Sequence, residues 1–342
     1  MSALMASPPP RVRRVCVIGA GIIGSATACL LAEAGHEVTV LEALDGPGLG
    51  TSYANGGQLS YSYVEPLATP ATLRKLPGML LDPDSPLRLR VTGEWAQVQW
   101  GWQFLKACRR SQVEAATRAL LGLSSLSREE LEPVRLRHAA AFGHAQPGKL
   151  VVYDTVEGLA AARRQVAFQR PFGCDQTVLD TQACLQREPA LAAYAPHVQG
   201  GVWTPGEAVG DAFLLSQHLM ASAQWQGAQV HYGTRVTGSV VGQGRIKALQ
   251  TTQGEVEADA FVLANGAGAQ ALGRRLGLNL GIYPIKGYSI TLPLKYEAAA
   301  PRTSVTDLRR KTVYARLGPQ LRVAGMAELV GHDLRIDPDR IA

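Results

Sequence analysis

Apolar residues run without interruption from Val15 to Ile18, and a glycine-rich break follows. A run of this kind, bounded by glycine, reads as a strand buried on both faces. The next stretch, IIGSATACLLAEAG, is small and apolar and stops at Gly35. Glycine is the favoured residue just past a helix end. HEVTVLE then returns to strand spacing. Residues 13–42 therefore predict a β-α-β unit. The stretch 43–70, rich in Gly, Ser, Pro and Tyr, is too long for a plain connector. Residues 95–140 carry helical spacing, clearest in SSLSREELEPVRLR. GKLVVY and VQGGVWTP read as strands, VEGLAAARRQVAFQRPFG as a helix, and GDAFLLSQHLMASAQWQGA as a helix stopped by Gly227. Short strands follow in QVHYGTRV, in the hairpin GSVVGQGRIKALQTTQGEVEA, and in DAFVLANGAG. YPIKGYSITLPL, TVYARLG and QLRVAGMAELVG read as an antiparallel set.

This order predicts an α/β fold with two interleaved domains. One is a Rossmann-like nucleotide-binding layer, expected from residues 13–80 and 205–277. The other is an antiparallel-sheet α+β domain, expected from 81–204 and 278–342. The opening MSALMASPPP lacks a basic segment followed by a long apolar one, so residues 1–12 read as a disordered leader.

The 342 residues suffice for two buried cores. The net charge of +6 comes from scattered arginines, as in ARRQVAFQR, and not from a basic face. That excludes a nucleic-acid footprint. The five cysteines, Cys16, Cys29, Cys108, Cys174 and Cys184, form no C-x-x-C pair, which argues against a disulfide framework or zinc site and for a reducing compartment. No apolar run approaches the ~18 residues that span a bilayer. The seven histidines form no catalytic set; His36, His218 and His332 read as structural or exposed.

The break after Ile18 has the spacing G-x-G-x-x-G at Gly19, Gly21 and Gly24. The first glycine permits the tight turn, the second lets backbone approach a diphosphate, and the third lets helix and strand pack closely. Helix N-terminal amides then face the phosphates. Glu42, eighteen residues past Gly24, ends the second strand and is placed to accept hydrogen bonds from ribose hydroxyls. Its charge disfavours a 2′-phosphate. The motif alone does not choose between NAD and FAD.

Taken with TSYANGGQLS, ADAFVLANGAGAQ, YPIKGYSIT and RVAGMAELVG, this unit resembles the FAD-dependent D-amino acid dehydrogenases, within the D-amino acid oxidase and glycine oxidase superfamily. The resemblance runs from about Arg14 onward. It implies that Ile18, Gly19, Ala20, Gly21, Ile22, Ile23 and Gly24 hold the FAD diphosphate and Glu42 the adenosine ribose. Thr51, Ser52, Asn55, Gly56 and Gly57 would line the ribityl and flavin region. Val236 would meet the adenine, and Asn265, Gly266 and Ala267 would close over the cofactor. It also implies hydride transfer from the Cα of a small D-amino acid to flavin N5, with hydrolysis of the imino acid to a 2-oxo acid and ammonia.

Electrons would pass to a membrane quinone or another acceptor, which places the protein in the cytoplasm or peripherally at the inner membrane face. No side-chain base is named, because a neutral amine needs none. Tyr288 and Lys286 are the expected substrate-site residues, with Tyr53 and Tyr61 bordering the pocket. Family members continue into a G-x-R-P-x-T-P-D-G motif and a G-H-G stretch, expected to bind the substrate carboxylate and close the flavin site. This chain ends at HDLRIDPDRIA, before either, and is expected to leave that site open. Two alternatives stand beside this reading: a glycine or sarcosine oxidase, and a fragment acting only in binding or assembly.

Overall fold

The computed structural model describes residues 13–64, 66–81, 85–296 and 300–340. The expected leader lies outside them. The described residues form two compact units. One takes the chain up to Tyr53 together with Phe213–Leu280; the other takes Ala54–Ala212 and the chain from Gly281 onward. These boundaries differ from the expected ones, since residues 54–80 and 205–212 belong to the second unit. Pairing explains the difference. Gln58–Leu59 pairs antiparallel with Ala208–Val209, and the Ala54 carbonyl accepts from Ser289 Oγ at 2.7 Å.

The first unit contains the predicted β-α-β. Its sheet has the order Ala260–Leu263, Arg14–Ile18, Glu37–Leu41, Gln229–His231, all parallel. Cys16, Val17 and Val40 are wholly buried, as expected for strands covered on both faces. The helix Ile22–Glu33 follows the first strand, and Gly35 has φ +81°, the left-handed residue that stops it. A separate antiparallel sheet is built from Val236–Gly242, Arg245–Thr251 and Gly254–Glu257. Its first hairpin turns at Gln243 and Gly244, both at positive φ, as a two-residue hairpin turn requires. Cys16, Ile18, Leu41, Leu249, Ala258 and Leu272 form the core between these elements.

The second unit is built on a mixed sheet. Its strands run in the order Lys286–Pro293, Gln320–Leu329, Thr312–Leu317, Ser304–Asp307, Lys149–Tyr153, Gly200–Thr204, Thr177–Leu179. The three C-terminal strands read as antiparallel do pair so. The sheet as a whole is not antiparallel, because Ser304–Asp307 lies parallel to Lys149–Tyr153 and Leu87–Leu89 parallel to Gln320–Leu329. The expected helical region is two helices, Trp95–Ala107 and Arg110–His138, broken at Cys108 and Arg109. A further helix, Pro70–Leu81, carries Pro77 inside it and was not expected from the sequence.

Candidate active site

In the first unit the three glycines are held for different reasons. Gly19 sits at φ +101°, and a Cβ there would stand 2.7 Å from the Ala264 carbonyl oxygen. A Cβ on Gly24 would lie 1.8 Å from the Gly19 carbonyl oxygen. Neither position admits a side chain. Gly21 has an ordinary φ of −68°, and a Cβ there would meet only Ser52 Oγ, at 3.4 Å. Its missing side chain therefore leaves room at the N-terminus of the helix Ile22–Glu33.

The surroundings of this turn are polar and fixed. The Ile22 N–H donates to Ser52 Oγ at 3.0 Å, and Ser52 is buried. The Glu42 carboxylate accepts from the Ala20 N–H at 2.6 Å through Oε2 and from the Leu44 N–H at 2.9 Å through Oε1. Ala20 is wholly buried, as is most of Ile18, whereas Ile23 and Thr51 are exposed. Across the sheet, the Ile18 carbonyl accepts from the Ala264 N–H. Asn265 Oδ1 is buried with no hydrogen-bond partner among the described residues. Gly266 follows at φ +55°, with nothing within 4 Å of a Cβ built on it, and Ala267 is exposed. Val236 packs on the core of this unit. Tyr53 is largely exposed and meets Phe213 edge-on, with ring centroids 5.0 Å apart.

These observations fit a dinucleotide. The helix end presents amides beside an open glycine, and the carboxylate is held with lone pairs to spare. A buried acceptor without a donor is the kind of atom a ligand satisfies.

In the second unit Asn55, Gly56 and Gly57 form a tethered turn. Asn55 Oδ1 accepts from the Gly57 N–H at 3.0 Å, Gly57 has φ +64°, and a Cβ on Gly56 would press on Val313 at 2.9 Å. Arg322 holds this turn from the sheet, donating to the Asn55 carbonyl at 2.9 Å and to Thr291 Oγ1 at 2.6 Å, and pairing with Asp211 at 3.4 Å. Sequence reading did not single out Arg322. Its only signal was a lone arginine at an inward position of the strand in RVAGMAELVG.

Lys286 and Tyr288 do come together, but on a carboxylate. Lys286 Nζ lies 2.7 Å from Glu328 Oε2, and the Tyr288 hydroxyl donates to the same oxygen at 3.1 Å. Arg340 Nε pairs with Glu328 Oε1 at 3.2 Å. A register shift opposite Gly287, with Met326 at φ +63°, separates the pairs Lys286–Glu328 and Tyr288–Gly325. Burial opposes the charge on Lys286, yet its hydrogen bonds to Glu328 and Tyr288 outweigh it and hold its pKa above the ordinary lysine value. Burial likewise opposes ionisation of Glu328, and Lys286, Tyr288 and Arg340 reverse it, leaving the carboxyl below its usual range.

Of these, Lys286 and Glu328 line a cavity of about 700 Å³ with Arg88, Arg90, Asp333 and Arg335. Its arginines are engaged: Arg88 with Asp337 at 2.9 Å, Arg90 with Asp333 at 2.8 Å, and Arg335 with Asp333 at 2.7 Å. Lys286, expected at the substrate site, is thus paired with Glu328.

Tyr61 lies elsewhere, with Arg128 5.6 Å above its ring, beside Glu132 and His144. Burial raises its phenol pKa. The Tyr61 and Ser62 amides both donate to Glu207 Oε1, at 3.0 and 2.7 Å. Lys149 donates to Ser60 Oγ at 2.8 Å and sits 4.1 Å from the Tyr63 ring centroid. Lys149 and Glu207 are wholly buried, and Glu207 Oε2 has no hydrogen-bond partner among the described residues. Burial lowers the Lys149 pKa from 10.5 to about 8, against the smaller opposing pull of Glu207. From pH 8 to 10.5 the folded chain has released a proton that the unfolded chain retains, so this group's contribution to stability rises with pH. Urea midpoints of the native chain should gain on those of Lys149→Met across that window; parallel midpoints would show that Lys149 keeps its proton.

Among the described residues no group of three or more His, Cys, Asp or Glu side chains could hold a metal. None of the five cysteines forms a disulfide among the described residues, and four of them are buried.

Residues 14–342 match the family model described as FAD dependent oxidoreductase, DAO. The chain is 44% identical to D-amino acid dehydrogenase 2 of Ralstonia nicotianae over 334 residues, 96% of this chain and 79% of that protein. It is also 44% identical to D-amino acid dehydrogenase 2 of Pseudomonas aeruginosa, over 96% of this chain and 78% of the relative. Glycine oxidase from Geobacillus kaustophilus shares the fold with a TM-score of 0.71 at 23% identity, covering 96% of this chain and 75% of the oxidase. The chain belongs to the DAO family of FAD dependent oxidoreductases.

Proposed function

We propose that the protein oxidises small D-amino acids to 2-oxo acids and ammonia, passing electrons to a quinone or another non-oxygen acceptor. The observation that carries this reading is the similarity, along 96% of the chain, to relatives named D-amino acid dehydrogenase. In this reading Ile18, Gly19, Ala20, Gly21, Ile22, Ile23 and Gly24 hold the diphosphate of FAD. Glu42 holds the adenosine ribose, and Val236 borders the adenine. Thr51, Ser52, Asn55, Gly56, Gly57, Asn265, Gly266 and Ala267 serve the remainder of the cofactor. The chemistry that bound FAD supplies is acceptance of a hydride from the substrate Cα.

The protein's own part is orientation. Ser52 fixes the start of the helix behind Gly21, and Glu42 is held by two backbone amides before any ligand arrives. Tyr288 remains the proposed substrate contact, with Lys286 acting through the Glu328 pair. No described helix is long and apolar enough to cross a membrane. The protein is proposed to work in the cytoplasm, meeting quinone peripherally at the inner membrane face.

Glu42→Ala is expected to weaken FAD binding by ~1–3 kcal/mol, the usual worth of a charge-assisted hydrogen-bond partner. Fluorescence titration of apoprotein with FAD measures it; an unchanged dissociation constant would leave Glu42 as a clamp for Ala20 and Leu44 alone. The reaction class is tested by reducing the flavin anaerobically with D-alanine and then adding oxygen or a soluble quinone. Faster reoxidation by quinone supports the dehydrogenase, and faster reoxidation by oxygen supports an oxidase.

A further inference from the structure

The turn at residues 55–57 is pinned by side chains from one face of the second unit's sheet. Thr291 lies opposite Arg322 and Ser289 opposite Ala324 on paired strands, so Ser289, Thr291 and Arg322 share a face. Val313, opposite Ala324 on the next strand, shares it too, and is the residue a Cβ on Gly56 would meet. Two successive carbonyls point at this face. That of Ala54 accepts from Ser289 Oγ at 2.7 Å, and that of Asn55 from Arg322 Nη1 at 2.9 Å.

A trans peptide unit carries its N–H opposite its carbonyl, and the described chain has no cis bond. The N–H groups of Asn55 and Gly56 therefore point away from the sheet. Neither has a hydrogen-bond partner among the described residues. The next N–H, of Gly57, is used inside the turn by Asn55 Oδ1 at 3.0 Å. Two successive donors on the open side of a tethered turn suit an electron-rich acceptor. Arg322 is the costly part of this arrangement, because its guanidinium is buried. Nε reaches Thr291 Oγ1 at 2.6 Å and Nη2 reaches Asp211 at 3.4 Å, so one planar fork serves a carbonyl, a hydroxyl and a carboxylate.

We propose that Arg322 is a positioning residue for the flavin. It draws the Asn55 carbonyl to the sheet while Ser289 draws that of Ala54, and so aims the Asn55 and Gly56 N–H groups at the electron-rich edge of the ring. Donors there stabilise the negative charge that the ring gains on reduction, which raises its potential. The proposal rests on the FAD reading and adds to it a residue that binds no cofactor itself.

The experiment loads the native chain, Arg322→Lys and Ser289→Ala with FAD. Fluorescence titration gives the dissociation constants, and reduction in equilibrium with a reference dye gives the flavin potentials. Circular dichroism and urea midpoints are recorded alongside. Arg322→Lys keeps a cation beside Asp211 and loses the fork. It should bind FAD roughly tenfold more weakly. Its flavin potential should fall by about 30 mV, the equivalent of a tenfold change in a two-electron equilibrium. Ser289→Ala should shift both quantities in the same direction by less. A merely structural Arg322 would lower the urea midpoint of Arg322→Lys and leave the potential of its flavin unchanged, and that result overturns the proposal. Should Arg322→Lys fail to fold, Ser289→Ala decides alone, and an unchanged potential there overturns it. A native chain that takes up no FAD overturns the underlying reading and this proposal with it, whereas native uptake with unshifted variants overturns this proposal alone.

Discussion

Gly21→Val is expected to abolish FAD retention while leaving the chain folded. A Cβ at this position meets only Ser52 Oγ, at 3.4 Å, so the protein itself tolerates a side chain there. Its two added methyls would instead fill the space at the helix N-terminus that a diphosphate needs. A loss of at least about a hundredfold in affinity, or ~2.8 kcal/mol, is expected. Gly24→Val is the contrasting control. A Cβ there would lie 1.8 Å from the Gly19 carbonyl oxygen, so that variant should fail to fold with or without cofactor. Visible absorbance and circular dichroism on the two variants separate these effects. Stoichiometric flavin in Gly21→Val would remove the turn from the binding site.

Glu328→Ala should cost the folded chain much of its stability. Glu328 is 3% exposed and is shared by Lys286, Tyr288 and Arg340. Removing it leaves the buried Arg340 and the half-buried Lys286 without their carboxylate, a change that costs up to ~3–5 kcal/mol. The pH profile should identify the group. Glu328 is held below its ordinary pKa of 4.5, so its contribution is complete above that value and fades as the pH falls further. Lys286 is held above 10.5, so its contribution is present below that pH and is lost as the pH climbs past it. Urea denaturation should show both limbs in the native chain and neither in the variant. Identical profiles would mean that the cluster contributes no net stability.

How far the sequence reveals these sites depends on the distance between partners. The β-α-β unit is legible because its signals are local: an apolar run, three glycines, a helix stop at Gly35 and an acid at Glu42. Glu42's second task, accepting from the Ala20 N–H, is not legible, since it arises only when two strand ends lie side by side. The break between Tyr53 and Ala54 escapes notice because TSYANGG is uniform in composition while Ser52 bonds to the helix start at Ile22 in the first unit and Ala54 to Ser289 in the second. Arg322 and Glu328 could not be placed by pattern, because their partners Asn55, Asp211 and Lys286 are far away in the chain. Lys286 illustrates the converse. Motif reasoning aimed it at a cofactor or substrate, and a carboxylate on the neighbouring strand already occupies it. The parallel pairing of Lys149–Tyr153 with Ser304–Asp307 was hidden for the same reason of distance.

The most direct test of the central claim is anaerobic titration of the FAD-loaded chain with D-alanine and with L-alanine, followed through the visible flavin band. D-alanine should bleach the band, L-alanine should leave it unchanged, and a soluble quinone should restore it. A chain that takes up no FAD, or whose bound flavin is unchanged by any D-amino acid, would contradict it.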